Sequence, residues 1–419
     1  MKSLRTLLGA ALVASLLSAC TGHAEAPGDT IRVGAIYPLS GSQGPGGLDE
    51  FHGVQVAADM VNTAGGVDGK RIQLVPVDAP ASSAAAPAVG LLSRQGVRFV
   101  VGSYGSTISE PAATAAARNG MLFWETGAVG MMASPDRGSL VFRVAPSGAT
   151  LGKAAISFIA TVVAARLHRN PRTLRFAVTN VNDLYGNEVA DGAVAELRRR
   201  HMDLVGRFPY DEHTLDPAAL SRKIAAAHPD VLFASAYVDD GVAVRRELVR
   251  QHVHLLAAIG SSSSYCMPAF GRRLGADAVG LFASDKPDAG VLDPASLDDT
   301  ARLLLSRAND RYRARFHASM DAPALAGFSA AWALFRWAMP KASTLTPTSV
   351  GDAARSLHVP MGGLPNGSGI DFGAPGSAQP GQNLLAASVI WEWVSVDHRV
   401  VVWPPRFATW RPTVLSIAG

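Results

Sequence analysis

Two short stretches gather the groups that could hold a small polar molecule. In the first, Gly102-Ser103-Tyr104-Gly105-Ser106-Thr107, hydroxyl side chains alternate with glycines directly after the strand-like run 98–101. Thr107 and Glu110 have the spacing of a capping box, and Pro111 falls in what would be the first helical turn. A helix is therefore expected to start there, with hydroxyls and unpaired backbone N–H groups at its N-terminus, a setting that suits an anion or a carbonyl. In the second stretch, the strand-like run Met121 to Trp124 ends in Glu125-Thr126-Gly127-Ala128-Val129, which adds an acid and a hydroxyl. An acid on that wall would repel a carboxylate and favour a cation or a donor-rich amide; a surface cap of the turn is the other reading of Glu125. Two strand–turn–helix corners this close in an α/β chain suggest one wall of a ligand crevice.

The chemistry on offer is hydrogen bonding and charge pairing. None of the Gly/Ser clusters has the spacing of a nucleophile elbow. The sequence holds no Walker A loop, HExxH, CxxC or strand-linked GxGxxG. His252 and His254, two apart, flank a predicted helix end and read as surface residues rather than a metal pair. Ser261-Ser262-Ser263-Ser264 follows a strand with no base nearby, and reads as the polar lining of a crevice. Neither an enzyme, a cofactor nor a metal is expected.

The elements that must position these groups need a large core, and 48% hydrophobic with 17% charged residues in 419 supply enough for two lobes. Lys2 and Arg5, an apolar run Leu7 to Leu17, and then Leu17-Ser18-Ala19-Cys20 form a processing segment. The last four residues resemble a lipobox, with cleavage before Cys20 and a lipid on its thiol. Removing residues 1–19 would lower the formal charge from +4 to +2, too little to argue for nucleic acid or an anionic membrane. With Cys20 lipidated, Cys266 has no disulfide partner and reads as a small buried hydrophobe. No later segment reads as a membrane span.

Residues 21–30 read as a linker. Ile31 to Leu39 is a buried parallel-type strand running into the Gly-rich loop Ser40 to Gly47, followed by a helix from Phe51, a strand Arg71 to Asp78, a helix over 82–95, and the opening strand. This β-α-β-α-β order is that of a doubly wound sheet. After the extended Phe142 to Pro146, a second series begins. Its strands are expected near 174–179, 203–209, 230–235, 255–260 and 279–283, and its helices near 149–168, 186–200, 216–227 and 239–252. Two further helices are expected over 298–318 and 323–339, then a Gly/Pro-rich loop over 360–383 and a closing hairpin over 384–402. The expected fold is α/β, two doubly wound Rossmann-like lobes.

IRVGAIYPLSG after the processing segment, VNTAGGVDGKRIQLVPVD and FVVGSYGSTISEPAA together resemble a type I periplasmic binding protein. They are similar to the branched-chain amino acid (leucine/isoleucine/valine) binding proteins of ABC importers, a group that extends to amide, urea and aromatic-acid binders. Asp183-Leu184-Tyr185-Gly186 and Asp239-Asp240-Gly241 support the resemblance more weakly. It implies two lobes joined by three crossing segments, placed near 143–147, 283–287 and 376–384. Lobe 1 would comprise 31–143 and 285–378, and lobe 2 147–283 and 384–411, after a signal peptide 1–19 and a tether 20–30. The resemblance further implies a monomeric body, held by its lipid on the periplasmic or cell-surface side of a membrane, that closes on a small molecule and docks on a permease. Ser40, Gly41, Tyr104, Gly105, Ser106, Thr107, Glu125, Thr126, Gly127, Ala128, Tyr185, Tyr237, Ser261 and Ser262 are the ligand-binding candidates.

Two positions depart from the family pattern. Val129 stands where a threonine hydroxyl is usual, and Ser261 or Ser262 where an acid pairs the ligand's ammonium. A buried ammonium without a carboxylate would cost several kcal/mol. Either another acid takes over, from among Glu125, Asp183, Asp239 and Asp285, or the ligand is not an α-amino acid. A sensor of the same fold and, more remotely, an enzyme on a flavodoxin-like scaffold are the rival readings.

Overall fold

The computed structural model describes residues 30–130 and 140–413, so Cys20 and the signal segment lie outside the described residues. The chain builds β1 (Thr30–Tyr37), α1 (Gly44–Thr63), β2 (Arg71–Asp78), α2 (Ser82–Arg94), β3 (Phe99–Val101), α3 (Ser106–Arg118), β4 (Leu122–Glu125) and β5 (Val141–Arg143). These strands form one parallel sheet in the order β2-β1-β3-β4-β5. The central strands β3 and β4 are buried throughout, and so are almost uninterrupted apolar runs.

The second series runs α4 (Gly148–Phe158), a π turn, α5 (Ala164–Arg166), β6 (Arg175–Val181), α6 (Leu184–Arg199), β7 (Asp203–Tyr210), α7 (Pro217–Ala226), β8 (Val231–Ser235), α8 (Val238–Arg250), β9 (Ala257–Ser261), α9 (Ser262–Tyr265), α10 (Pro268–Leu274) and β10 (Phe282–Asp285). After α11 (Asp299–Phe316), α12 (Ala322–Ala333), α13 (Met339–Lys341) and α14 (Pro347–Arg355), the hairpin β11 (Val389–Ser395) and β12 (His398–Trp403) closes the chain. The second sheet has the order β12-β11-β10-β9-β8-β6-β7, with only β11 and β12 antiparallel to their neighbours. The molecule is thus a two-lobe α/β protein.

The chain leaves the first sheet after β5 and the second after β10, lays α11, α12 and α14 on the first lobe, and returns to the second through 356–388. The first and third of these connections pair with each other. The Arg143 N–H donates to the Gly381 carbonyl at 2.9 Å, and the Asn383 N–H to the Arg143 carbonyl at 2.9 Å.

Three local expectations change. The α3 N-cap is Gly105, extended and without a side-chain cap, so Thr107 lies inside the helix and the Thr107–Glu110 capping box does not form. Pro111 consequently sits beyond the first turn. The continuous helix Gly148–Arg166 is long and apolar enough to cross a membrane by composition, against the expectation that no later segment is. Two-thirds of it is buried: Gly152 meets the α6 backbone at Val189 and Ala193, so its apolarity serves the core. The short helix α14 forms in Pro/Ser/Thr-rich surroundings where no helix is expected.

Candidate functional site

The C-terminal ends of β3, β4, β8, β9 and β10 and the segment after β6 converge on one cleft between the lobes, the place where open α/β sheets bind ligands. The cleft is narrow, with a cavity of about 10 Å³. Tyr104, Gly105, Ser106, Gly127 and Val129 line it from the first lobe, and Tyr185, Tyr237, Ser262 and Ser263 from the second. Lys286, on the connection that follows β10, completes the lining. An outer chamber of about 210 Å³, also lined by Gln43, Gly46 and Glu212, shares Tyr104, Tyr237 and Ser263 with the cleft. Those three side chains therefore form the partition between the two spaces.

Each wall is held by its own hydrogen bonds. The Tyr185 hydroxyl lies 2.9 Å from the Ser261 hydroxyl and accepts the Ser263 N–H at 3.1 Å. Its ring lies 5.4 Å from that of Tyr237, whose hydroxyl donates to the Asp183 carboxylate at 2.7 Å. Asp183 also caps α6 by accepting the Gly186 N–H at 2.7 Å. Ser262 donates to Asp285 at 2.8 Å, and Cys266 lies against the other oxygen of that carboxylate. On the first wall, the Ser106 hydroxyl accepts the Gly130 N–H at 2.8 Å, and Tyr104 reaches across to the Ser263 side chain.

Several sequence candidates lie elsewhere. Glu125 is fully buried with its carboxylate turned away from the cleft. It accepts the backbone N–H groups of Gly127 at 2.8 Å, Ala128 at 2.7 Å and Ser103 at 3.2 Å, together with the Ser109 hydroxyl. Burial pushes its pKa up to about 7 against the pull of those donors. Glu125 is a turn cap, and the expectation that it meets a cationic ligand is corrected. Thr126 also points inward, 2.8 Å from the Tyr37 hydroxyl and donating to Glu50 at 2.5 Å. Ala128 is buried behind the wall, and so is Ser261, beneath Tyr185. Ser40 is exposed, its hydroxyl donating to Asp78 at 2.6 Å, and Gly41 beside it is exposed as well. Thr107 lines a separate outer groove with Glu110 and Leu184.

Sequence reasoning missed Lys286 and Glu50. Lys286 is 3% exposed and donates from Nζ to the Gly127 carbonyl at 2.9 Å, tying the second connection to the first lobe. Glu50, fully buried beneath Gly127, has its pKa raised by burial, with Lys286 pulling it down and Glu125 pushing it up. The signal available for Lys286 was its place directly after a strand's C-terminal end.

The family model for periplasmic binding proteins matches residues 30–389. The chain belongs to the periplasmic binding protein family. The binding protein has the type I fold. It is similar to Leu/Ile/Val-binding protein homolog 8 of Brucella suis biovar 1, 25% identical over 97% of this chain and 98% of that one. A leucine binding protein LivK from Thermotoga maritima shares its fold with a TM-score of 0.73 and 16% identity, covering 88% of this chain and 97% of that one. LivJ from Streptococcus pneumoniae, solved in complex with isoleucine, gives a TM-score of 0.71 and 18% identity over 90% of this chain and 100% of that one.

Proposed function

We infer that this protein is the extracytoplasmic solute-binding component of an ABC importer, closing its two lobes over a small polar or amphipathic molecule and presenting the closed form to a membrane permease. The observation that carries the reading is the cleft itself, where hydroxyls of both lobes and one connection residue meet at the strands' C-terminal ends. A ligand held by both walls binds the closed form better than the open one, and so shifts the equilibrium towards closure. The lobes divide near 143–147, 283–287 and 376–384, and Cys20 carries the lipid that keeps the protein beside its permease. Relatives named for leucine, isoleucine and valine make those amino acids the first compounds to test, and the family resemblance adds amides, urea and aromatic acids. Ser40, Gly41 and Thr107 stand outside the cleft in this structure, and the proposed contact set rests on Tyr104, Gly105, Ser106, Gly127, Tyr185, Tyr237 and Ser262.

The test is thermal unfolding of the mature protein against a metabolite library, with small-angle scattering on the hits. A ligand at a hundredfold its Kd stabilises by about 2.7 kcal/mol, which raises the melting temperature by several degrees. Compaction should accompany that rise. Melting that no small molecule shifts would end the reading.

A further inference from the structure

The charges around the cleft are asymmetric. Among the described residues, Lys286 is the one charged side chain in the inner lining. It is nearly fully buried and has a single hydrogen bond, to the Gly127 carbonyl, among the described residues. An ammonium carries three donors, so two remain for another acceptor. The inner lining holds no carboxylate among the described residues. Glu50, buried behind Gly127, lies within the electrostatic reach of Lys286; one of its oxygens accepts the Thr126 hydroxyl and the other has no hydrogen-bond partner among the described residues. The other acids around the cleft are engaged. Glu125 accepts four donors. Asp183 holds Tyr237 and the start of α6. Each oxygen of Asp285 takes a donor, from Ser262 and from Cys266. Asp239 pairs with Arg273 at the exposed outer face. Glu212, the remaining acid of the outer chamber, lies beyond the Tyr104–Tyr237–Ser263 partition.

We propose that the binding protein takes a carboxylate that lacks an α-ammonium group, with Lys286 as the partner of the carboxylate and the Ser262, Ser263 and Tyr185 side of the cleft supplying neutral hydrogen bonds. This rests on the solute-binding reading above and narrows its ligand class. An α-amino acid would bring its ammonium within a few ångströms of its own carboxylate, beside Lys286, where like charges repel and no acid of the lining compensates. A deaminated acid meets the cation alone. A neutral amide satisfies the hydroxyls but brings no charge to the ammonium of Lys286, which then has only Glu50 behind Gly127.

Two matched series test this by isothermal calorimetry and thermal shift on the mature protein: leucine, 4-methylpentanoate and 4-methylpentanamide, and phenylalanine, 3-phenylpropanoate and 3-phenylpropanamide. The acid in at least one series is expected to bind tenfold or more tightly than its amino acid and its amide. Lys286→Met should abolish that preference, and Lys286→Arg should keep part of it. Because Lys286→Met leaves Glu50 without its nearby cation, the double variant E50Q/K286M is measured alongside, and it should fold while still failing to bind the acid. Tighter binding of an amino acid or amide than of its acid overturns the proposal and leaves the solute-binding reading intact. Undiminished acid binding by E50Q/K286M also overturns it, since Lys286 would then serve only to neutralise Glu50. Silence from both series overturns this ligand class, and the wider library then decides the solute-binding reading separately.

Discussion

Glu125 ends β4 and feeds a turn whose next residues line the cleft, yet its carboxylate turns back into the first lobe. A carboxylate that accepts three backbone N–H groups fixes the turn on which Gly127 is presented, and Gly127 in turn receives Lys286. Removing that acceptor strands buried donors, each of which costs about 1–3 kcal/mol when left unpaired. Glu125→Ala is therefore expected to lose about 2–4 kcal/mol in urea unfolding, at the upper end if no water enters. Glu125→Gln retains one oxygen for the Gly127 and Ala128 donors and should cost less. With its side chain out of the cleft, Glu125→Gln should change ligand affinity less than threefold once a ligand is in hand. A large loss of affinity in a well-folded Glu125→Gln protein would return this residue to the site.

Elements in this molecule meet through small residues, and α1 against α12 is the closest case. A Cβ on Gly53 would run into the Ala324 carbonyl, and one on Gly327 into the Glu50 carbonyl, so both helices need a bare backbone where they cross. Overpacking such a contact costs about 1–3 kcal/mol, because neither helix can move without shifting the sheet under it. Gly53→Ala and Gly327→Ala are expected to reduce the unfolding free energy by that amount, read as a lower denaturation midpoint. Gly90→Ala, on α2, meets only the tip of Arg94 and should instead gain about 0.5–1 kcal/mol from helix propensity. The element pattern was legible because buried parallel strands are written as continuous apolar runs, as in Asp-Val-Leu-Phe-Ala-Ser before α8, where β8 forms at Val231–Ser235. The start of α3 was not, because Gly105 caps it with backbone alone and leaves the Thr107–Glu110 spacing without a role. The first-lobe loop at Tyr104 to Ser106 was legible as lining, since hydroxyls beside glycines after a strand have few other uses. Which way Glu125, Thr126 and Ser261 point was not, since this depends on the rotation of a turn. Lys286 stayed hidden for a topological reason: its partner Gly127 is 159 residues away and becomes its neighbour only when the second connection crosses back.

For the whole molecule, the buried acids set a pH dependence with a definite sign. Burial is the largest cause in pushing Glu125, Asp321 and Glu392 up to about 7, and Asp240 and Asp288 to about 6. For each, the folded state holds a proton that the unfolded chain releases near pH 4, so between those values the folded state binds more protons. The stabilisation is fully present below the ordinary carboxylate range and is lost as pH rises through 6 to 7. Glu196 goes the other way, held down to about 2 chiefly by Arg199, but its contribution is lost only as pH falls towards 2, outside this window. His52, lowered by burial and by Arg315, opposes the trend as a single half-buried group against five acids. Unfolding free energy from urea titrations is therefore expected to be greater at pH 5 than at pH 8. The difference should reach several kcal/mol, because a tenfold change in a proton's binding constant between folded and unfolded chains is worth about 1.4 kcal/mol. A flat or rising profile across that range would contradict the balance. The two lobes can be told apart in the same experiment, because Glu125 belongs to the first sheet and Glu392 to the second. If the lobes unfold as one cooperative body, Glu125→Gln and Glu392→Gln should each flatten the same single transition. If they unfold in turn, each substitution should flatten only the transition of its own lobe, and a ligand that bridges the cleft should merge the two.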